Sequence, residues 1–337
     1  MMQWVNPNYS NMPQTNIIFF GSDAICLPVL KYLHALKGNG ITLRAVVSQP
    51  DRPSGRGKKM QANPVAAWTN SEGIKLLQPE VPSEALASWM KAEEITLSLV
   101  MAYGHFLPAS LRKATPVKMV NFHGSILPAL RGASPVETAL ANGATKTGVS
   151  LMEIVREMDA GGVADHECVN IEETDTAISL RAKIGLAVVP LLKRNLMALI
   201  SGTANFTAQD PAQVTYCRKI TKNDGALNFE QSARAMDCRL RAFLPWPGGY
   251  FDYANTRIKV GRVEVVATDS TSEPGTVLSA DAEGLKVATA EGVLVLLELQ
   301  RPGGRMLPVD AFLRGFQIEV GACLPSVKGE ALERCKL

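Results

Sequence analysis

The sequence predicts an α/β protein in which a doubly wound, mostly parallel sheet is followed by a small β-barrel domain. Three observations predict it. Short apolar runs alternate with helical patterns through the first 200 residues, the signature of stacked βαβ units around a parallel sheet. The polar stretch Gly202–Gln213 then reads as a linker. Beyond it, short strand-like runs follow at close spacing without intervening helices, which suits a small barrel. A chain of 337 residues also accommodates two domains of roughly 150 residues each.

The elements follow in order. Strands are expected at Asn16–Phe20, Thr42–Ser48, Lys75–Leu77, Thr96–Ala102, Val117–Phe122 and Gly148–Ile154. Between them lie helical patterns at 24–37, 64–72, 83–92, 108–114 and 135–142, several opened by a Pro or a Ser cap. A helix from Thr176 to Ser201 closes this part and contains Pro190, which is expected to kink or split it. After the linker come a helical pattern at Ser232–Phe243, a Pro-Trp-Pro-Gly-Gly turn, and strands near 250–253, 257–265, 275–279, 284–289 and 292–299. The chain shows no internal repeat and no low-complexity tract.

Composition narrows the class. With 46% hydrophobic and 20% charged residues, global disorder and fibrous architecture are excluded. No run reaches the ~18 apolar residues of a membrane span, so no membrane partner is expected. Residues 1–14 lack the basic start and apolar middle of an export signal and read as a disordered leader. The six cysteines form no CxxC pair, which suits reduced thiols in a cytoplasm. A net charge of +3 is too small to announce a polyanion partner, but its distribution is uneven. Residues 52–59 carry four basic and no acidic side chains, and residues 206–262 carry nine basic against five acidic. A polyanion would sit on the middle of this chain.

The densest chemistry lies in Asn121-Phe122-His123-Gly124-Ser125-Ile126-Leu127-Pro128, at the end of a predicted strand in the open sheet. Ligands of such sheets bind outside the carboxyl ends of the strands. Period-two alternation puts Asn121 and His123 on one face, with Phe122 on the other. An amide N–H stabilises an oxyanion and an imidazole moves protons near neutrality, a pairing suited to acyl transfer. Spacing alone leaves open a second reading, a hydrogen-bonded core histidine beside a strand-end asparagine. His34, His105 and His166 have no comparable partner, and no metal-ligand spacing occurs.

These residues stand in a longer series. Ile17–Phe20 with Gly21-Ser22, Gln49–Lys59, Ala102-Tyr103-Gly104, Asn121–Pro128, Arg131-Gly132-Ala133, Thr147-Gly148-Val149 and Met158-Asp159-Ala160-Gly161-Gly162 occur in that order. The series resembles the methionyl-tRNA formyltransferases of the 10-formyltetrahydrofolate-dependent formyltransferase superfamily. That resemblance implies a Rossmann-like catalytic domain at 15–205, a linker at 206–223, an OB-like tRNA-contacting domain at 224–325 and a tail at 326–337. It implies Asn121, His123 and Asp159 as the catalytic trio, the Asp fixing the histidine. It implies 10-formyltetrahydrofolate as formyl donor, without a metal, bound by the loops Val100–Pro108, Ser125–Pro128 and Asp159–Gly162. Met101, Tyr103, Gly104, Ser125, Ile126, Leu127, Pro128 and Gly161 are the expected contacts, with Phe106 as a further apolar cover.

The resemblance also implies initiator methionyl-tRNA as the formyl acceptor. Its acceptor stem would be entered by the insertion carrying Arg52, Arg56, Lys58 and Lys59, with Arg218, Lys219 and Lys222 extending the basic track. A monomer is the expected state. Three other functions are compatible with parts of the pattern: a formyltransferase for an amino sugar or nucleotide, an RNA- or folate-binding module without turnover, and a folate hydrolase.

Overall fold

The computed structural model describes residues 14–54, 59–268 and 270–335. Most of the expected leader, the cations Arg56 and Lys58, and the last two residues of the expected tail lie outside the described residues. The chain forms two compact units. One comprises the residues up to Arg131 with Thr147–Asn170 and Arg181–Thr215; the other comprises Gly132–Lys146, Ile171–Leu180 and the chain from Tyr216 onward.

In the first unit, β-branched and apolar runs bury both faces of the central strands, as a parallel sheet requires. Thr15–Phe20 is buried at five of its six positions. The seven-stranded sheet has the order Val163–Asn170, Lys146–Glu153, Val120–His123, Ile95–Val100, Thr15–Phe20, Ile41–Val47, Leu76–Leu77. Thr15–Phe20 pairs in parallel with both Ile41–Val47 and Ile95–Val100, and Ile95–Val100 with Val120–His123. Lys146–Glu153 runs antiparallel to Val120–His123. The chain thus winds outward from Thr15–Phe20 in one direction, then returns to its other side. That reversal leaves a crevice outside the carboxyl ends of Thr15–Phe20 and Ile95–Val100.

Local signals act as expected where they are strong. Asn63 caps the helix Pro64–Ser71, its Oδ1 accepting from Ala66 N–H at 3.0 Å. Three features depart from the sequence reading. Val163–Asn170 is an additional strand; on the sheet edge its half-buried and exposed positions alternate, so it carries little apolar signal. Arg52–Ser54 and Lys59–Gln61 pair as an antiparallel hairpin. Pro190 does not split its helix, which runs unbroken over Ala177–Ile200. The bond it forfeits belongs to the carbonyl of Leu186, a residue on an exposed side of the helix, where losing an internal donor costs less than in the core. Among the described residues no helix is long and apolar enough to cross a membrane.

The second unit is β-rich, as expected. Two four-stranded sheets enclose one core that includes Phe229, Met236, Phe251, Ile258, Leu294 and Phe312. The expected strand 257–265 is two strands, Thr256–Val260 and Val263–Val266, one in each sheet. The run 292–299 divides likewise into Val293–Leu296 and Glu298–Gln300. Both stretches turn a corner at the same place, where Gly261 N–H donates to Glu298 O at 2.8 Å and Leu297 N–H to Arg262 O at 2.9 Å. Strands that change sheets at a bend keep their apolar alternation, which is why each read as one strand. A short helix, Val309–Gly315, was not expected; it buries Val309 and Phe312. The helix Ala233–Ala242 starts where expected, Ser232 Oγ accepting from Ala235 N–H at 3.1 Å.

One ion pair organises the start of this unit. Arg218 forks onto the two carboxylate oxygens of Asp224 at 2.8 and 2.5 Å and donates to the carbonyls of Lys219, Glu330 and Ala331. Burial alone would raise the Asp224 carboxyl, but the Arg218 guanidinium and the donors of Thr221 outweigh it and hold it down at about 2. A folded-state value below the unfolded one stabilises the protein above the unfolded value, about pH 3.9. That contribution fades as pH falls through the folded value near 2. Asp224→Asn is expected to cost about 2 kcal/mol at pH 7, with the gap to wild type narrowing between pH 4 and pH 2. Urea unfolding of both proteins across that range measures it; a gap independent of pH would remove the ion pair as its cause.

Candidate active site

The site begins with a register. Opposite the antiparallel strand, Asn121 faces Met152, Phe122 faces Leu151 and His123 faces Ser150. On the other side Asn121 pairs in parallel with Val100. The pleat therefore sends Phe122 into the core and leaves Asn121, half-buried, and His123 on the opposite face. Both stand at the carboxyl end of a central strand, Asn121 paired on two sides and His123 on the antiparallel side with Ser150.

His123 is buried, and each of its ring nitrogens faces an acceptor. Nε2 lies 2.8 Å from the Leu130 carbonyl, and Nδ1 lies 3.7 Å from Oδ2 of Asp159. The first is a hydrogen bond; the second is beyond hydrogen-bond length and becomes one with a small approach. The sequence reading brought Asn121, His123 and Asp159 together as a trio, and the fold holds His123 and Asp159 side by side. Leu130 was not foreseen, because a backbone carbonyl leaves no mark on a sequence.

The turn after His123 is built by short hydrogen bonds. Ser125 N–H donates to His123 O at 2.9 Å, and Ser125 Oγ donates to Ala129 O at 2.6 Å. Ser150, fully buried, ties the turn to the neighbouring strand: its Oγ donates to Ser125 O at 2.7 Å and accepts from Leu127 N–H at 2.9 Å. His166 Nδ1 sits 3.2 Å from the same oxygen. Sequence reasoning missed Ser150; the available signal was a serine inside an otherwise apolar strand.

The other expected contacts fall on three loops. Ser125 and Leu127 are buried, and Ile126 and Pro128 are half-buried in the turn. Met101 and Tyr103 are buried, the Met101 N–H donating to Phe20 O at 2.9 Å and its carbonyl accepting from Cys26 Sγ at 3.2 Å. Tyr103 packs edge-on against Phe20 in the core, and burial pushes its hydroxyl up to about 12. Gly104 has φ +77°, and a Cβ there would meet Gln49 Nε2 at 2.6 Å; the same Nε2 donates to Tyr103 O at 2.8 Å. Phe106 is 70% exposed, open to a ligand or to water. Gly161 is buried against the next strand, where a Cβ would lie 2.0 Å from Glu153 O.

The expected nucleic-acid contacts divide. Arg52 and Lys59 are exposed on the hairpin, Arg52 paired with Glu80 at 2.8 Å; Arg56 and Lys58 lie outside the described residues. Lys219 and Lys222 are exposed in the second unit. Arg218 is different. Its guanidinium is engaged with Asp224 and three carbonyls, so few donors remain for a phosphate. Its place in a basic track was implied by the resemblance, and neither a motif nor a charge reveals an internal partner.

The family model described as "Formyl transferase" matches residues 15–190, and the one described as "Formyl transferase, C-terminal domain" matches residues 219–317. The chain is 37% identical over 319 residues to a methionyl-tRNA formyltransferase of Delftia acidovorans, covering 91% of this chain and 97% of that protein. Among solved structures, an N-formyltransferase from Helicobacter canadensis in complex with folinic acid and dTDP-3-aminofucose superposes with a TM-score of 0.61 at 18% identity, covering 85% of this chain and 99% of that one. HypX from Aquifex aeolicus in complex with tetrahydrofolic acid gives a TM-score of 0.59 at 15% identity, covering 91% of this chain. The chain spans about half of HypX, 48% of its length.

The contact at Gly161 generates a test of this geometry. Gly161→Ala forces the Asp159–Gly162 loop off the adjacent strand, an overpacking expected to cost about 1–3 kcal/mol. Urea unfolding compared with wild type measures it, and unchanged stability would show that the loop does not lie against Glu153.

Proposed function

The chain belongs to the formyl transferase family, and from that premise we propose that it moves the formyl group of 10-formyltetrahydrofolate to the α-amino group of methionine on initiator methionyl-tRNA. The observation that carries the reading is the strand end where Asn121 stands on the face of His123, with Asp159 beside the imidazole, in a chain matched by both family models. The relatedness to a methionyl-tRNA formyltransferase over nine-tenths of the chain favours this acceptor over an amino sugar.

The chemistry follows from the donors. The methionine amine attacks the formyl carbon, forming a C–N bond and moving the carbonyl electrons onto oxygen. An oxyanion in that position accepts a hydrogen bond from the Asn121 amide, and one from the His123 ring when Nε2 exchanges the Leu130 carbonyl for the substrate. As the intermediate collapses, the bond to N10 of the folate breaks, the amine proton leaves, and N10 receives a proton. His123 is the group placed to carry it, while Asp159 orients the ring. The turn Ser125–Pro128, the loop Val100–Pro108 and the Asp159–Gly162 loop form the walls we assign to the folate. Most of their offered groups are backbone, which suits the donor and acceptor edge of a pterin.

For the acceptor we assign Arg52, Arg56, Lys58 and Lys59 of the hairpin insertion, extended by Lys219 and Lys222. RNA affinity rests largely on phosphate contacts and shape. Arg218 serves the fold instead.

His123→Ala and Asn121→Ala are expected to lower kcat by about two orders of magnitude or more while the protein stays folded. Formylation of methionyl initiator tRNA, with methionyl elongator tRNA as control, checks it; near wild-type turnover in His123→Ala at saturating substrates would overturn the mechanism. Arg56→Ala, and more strongly Arg56/Lys58/Lys59→Ala, should weaken tRNA binding and flatten its salt dependence, by roughly 0.7–0.9 of a slope unit per lost phosphate contact, with folate affinity unchanged. Arg56→Lys should recover only part of the activity, since an ammonium lacks the planar fork. Binding titrations at several salt concentrations decide it: an unchanged slope in the triple variant reduces the insertion to a solvated loop.

A further inference from the structure

The two acceptors that flank His123 sit on segments whose backbone does not favour its own conformation. Leu130 has φ 59° and Asp159 has φ 51°. For residues with a Cβ this left-handed region is disfavoured, more for Leu than for Asp, so contacts outside each segment help to hold it there. One side chain reaches both. Gln209 Nε2 donates to Asp159 O at 2.8 Å and to Gly161 O at 2.7 Å. Its Oε1 accepts from Arg131 Nε at 3.0 Å and from Arg131 Nη2 at 2.8 Å. All four hydrogen-bonding positions of the carboxamide are occupied. Arg131 follows Leu130 directly and is buried.

The clamp is itself anchored. Thr207, two residues before Gln209, exchanges both backbone hydrogen bonds with Val163, at 2.8 and 2.9 Å. Leu130 N–H donates to Thr215 Oγ1 at 2.9 Å. No step of the proposed chemistry uses Arg131 or Gln209, and among the described residues no charged group other than Arg131 contacts the amide through a hydrogen bond. Yet the amide joins the segment carrying the Leu130 carbonyl to the loop carrying the Asp159 carboxylate. Those are the two groups facing the two nitrogens of His123.

We infer that Arg131 and Gln209 are positioning residues that set the separation of Asp159 from His123. The inference rests on the reading of the trio as catalytic. At 3.7 Å the imidazole and carboxylate stand just outside hydrogen-bond length, where a small loop displacement decides whether they engage. A misplacement of about 1 Å in a catalytic group costs on the order of 100-fold in rate.

Gln209→Glu separates this role from simple structural support. The substitution is nearly isosteric and keeps the Arg131 fork occupied, as an ion pair, but it replaces the amide hydrogens with an oxygen facing two carbonyls. The loop of Asp159 is released while Arg131 stays held. We expect kcat to fall about 10- to 100-fold, with KM for tRNA changed less than about twofold. In an Asp159→Asn background the same substitution should cost almost nothing further, because a residue acting through Asp159 is silent once the carboxylate is gone. Equal losses in both backgrounds, or no loss in either, would overturn the inference. The NMR resonances of the His123 ring at fixed pH give a readout independent of formylation. Gln209→Glu should move them in the same direction as Asp159→Asn, and unmoved resonances count against the clamp even if the protein proves to act on another substrate. An inactive wild type would refute only the proposed function. If Gln209→Glu does not fold, Arg131→Lys, which keeps the charge and loses the fork, undergoes the same measurements with the same deciding outcomes.

Discussion

A buried imidazole with an acceptor at each nitrogen is the constraint around which the first unit is arranged. A neutral ring donates from one nitrogen only, so His123 cannot satisfy both the Leu130 carbonyl and the Asp159 carboxylate unless it carries a second proton. The surroundings thereby make the ring's proton inventory matter to the structure. Such a group must be held without play, and the fold supplies this by pairing His123 with Ser150 at the end of a strand whose preceding residues are hydrogen-bonded on both sides. The loops that bring its partners lack that support. They are fixed by side chains: Ser150 ties down the turn after His123, and Gln209 ties down the loop of Asp159.

The second unit solves a different problem with similar means. Its two sheets share one core because two stretches of chain turn a corner together at Gly261–Arg262 and Leu297–Glu298. The Arg218–Asp224 pair then secures the segment entering the unit, its guanidinium reaching carbonyls 112 and 113 residues away in sequence. A cation so engaged differs in kind from the exposed Lys219 beside it, although the two are adjacent in a basic stretch. For recognition of a polyanion the distinction is decisive. Only a cation whose donors face water has hydrogen bonds to exchange for a phosphate.

Asp159 entered only through the resemblance to a family, whereas the sequence by itself determined the order of elements, the mostly parallel sheet, the β-rich second part and the placing of Asn121 and His123 on one face of a strand end. Those features rest on local signals: apolar periodicity, caps, turn residues, and alternation along one strand. The additional edge strand Val163–Asn170 escaped because its pattern is polar, and the corners of the second unit escaped because a bend preserves alternation. Only the tertiary structure decided that Leu130 offers its carbonyl to His123, that Ser150 and Gln209 hold the two loops, and that Arg218 is an internal partner rather than a free cation. The physical reason is common to all four. A hydrogen bond or ion pair is fixed by which groups meet in space, and these groups lie from 6 to 113 residues apart, with nothing in their neighbours' identity to announce the meeting.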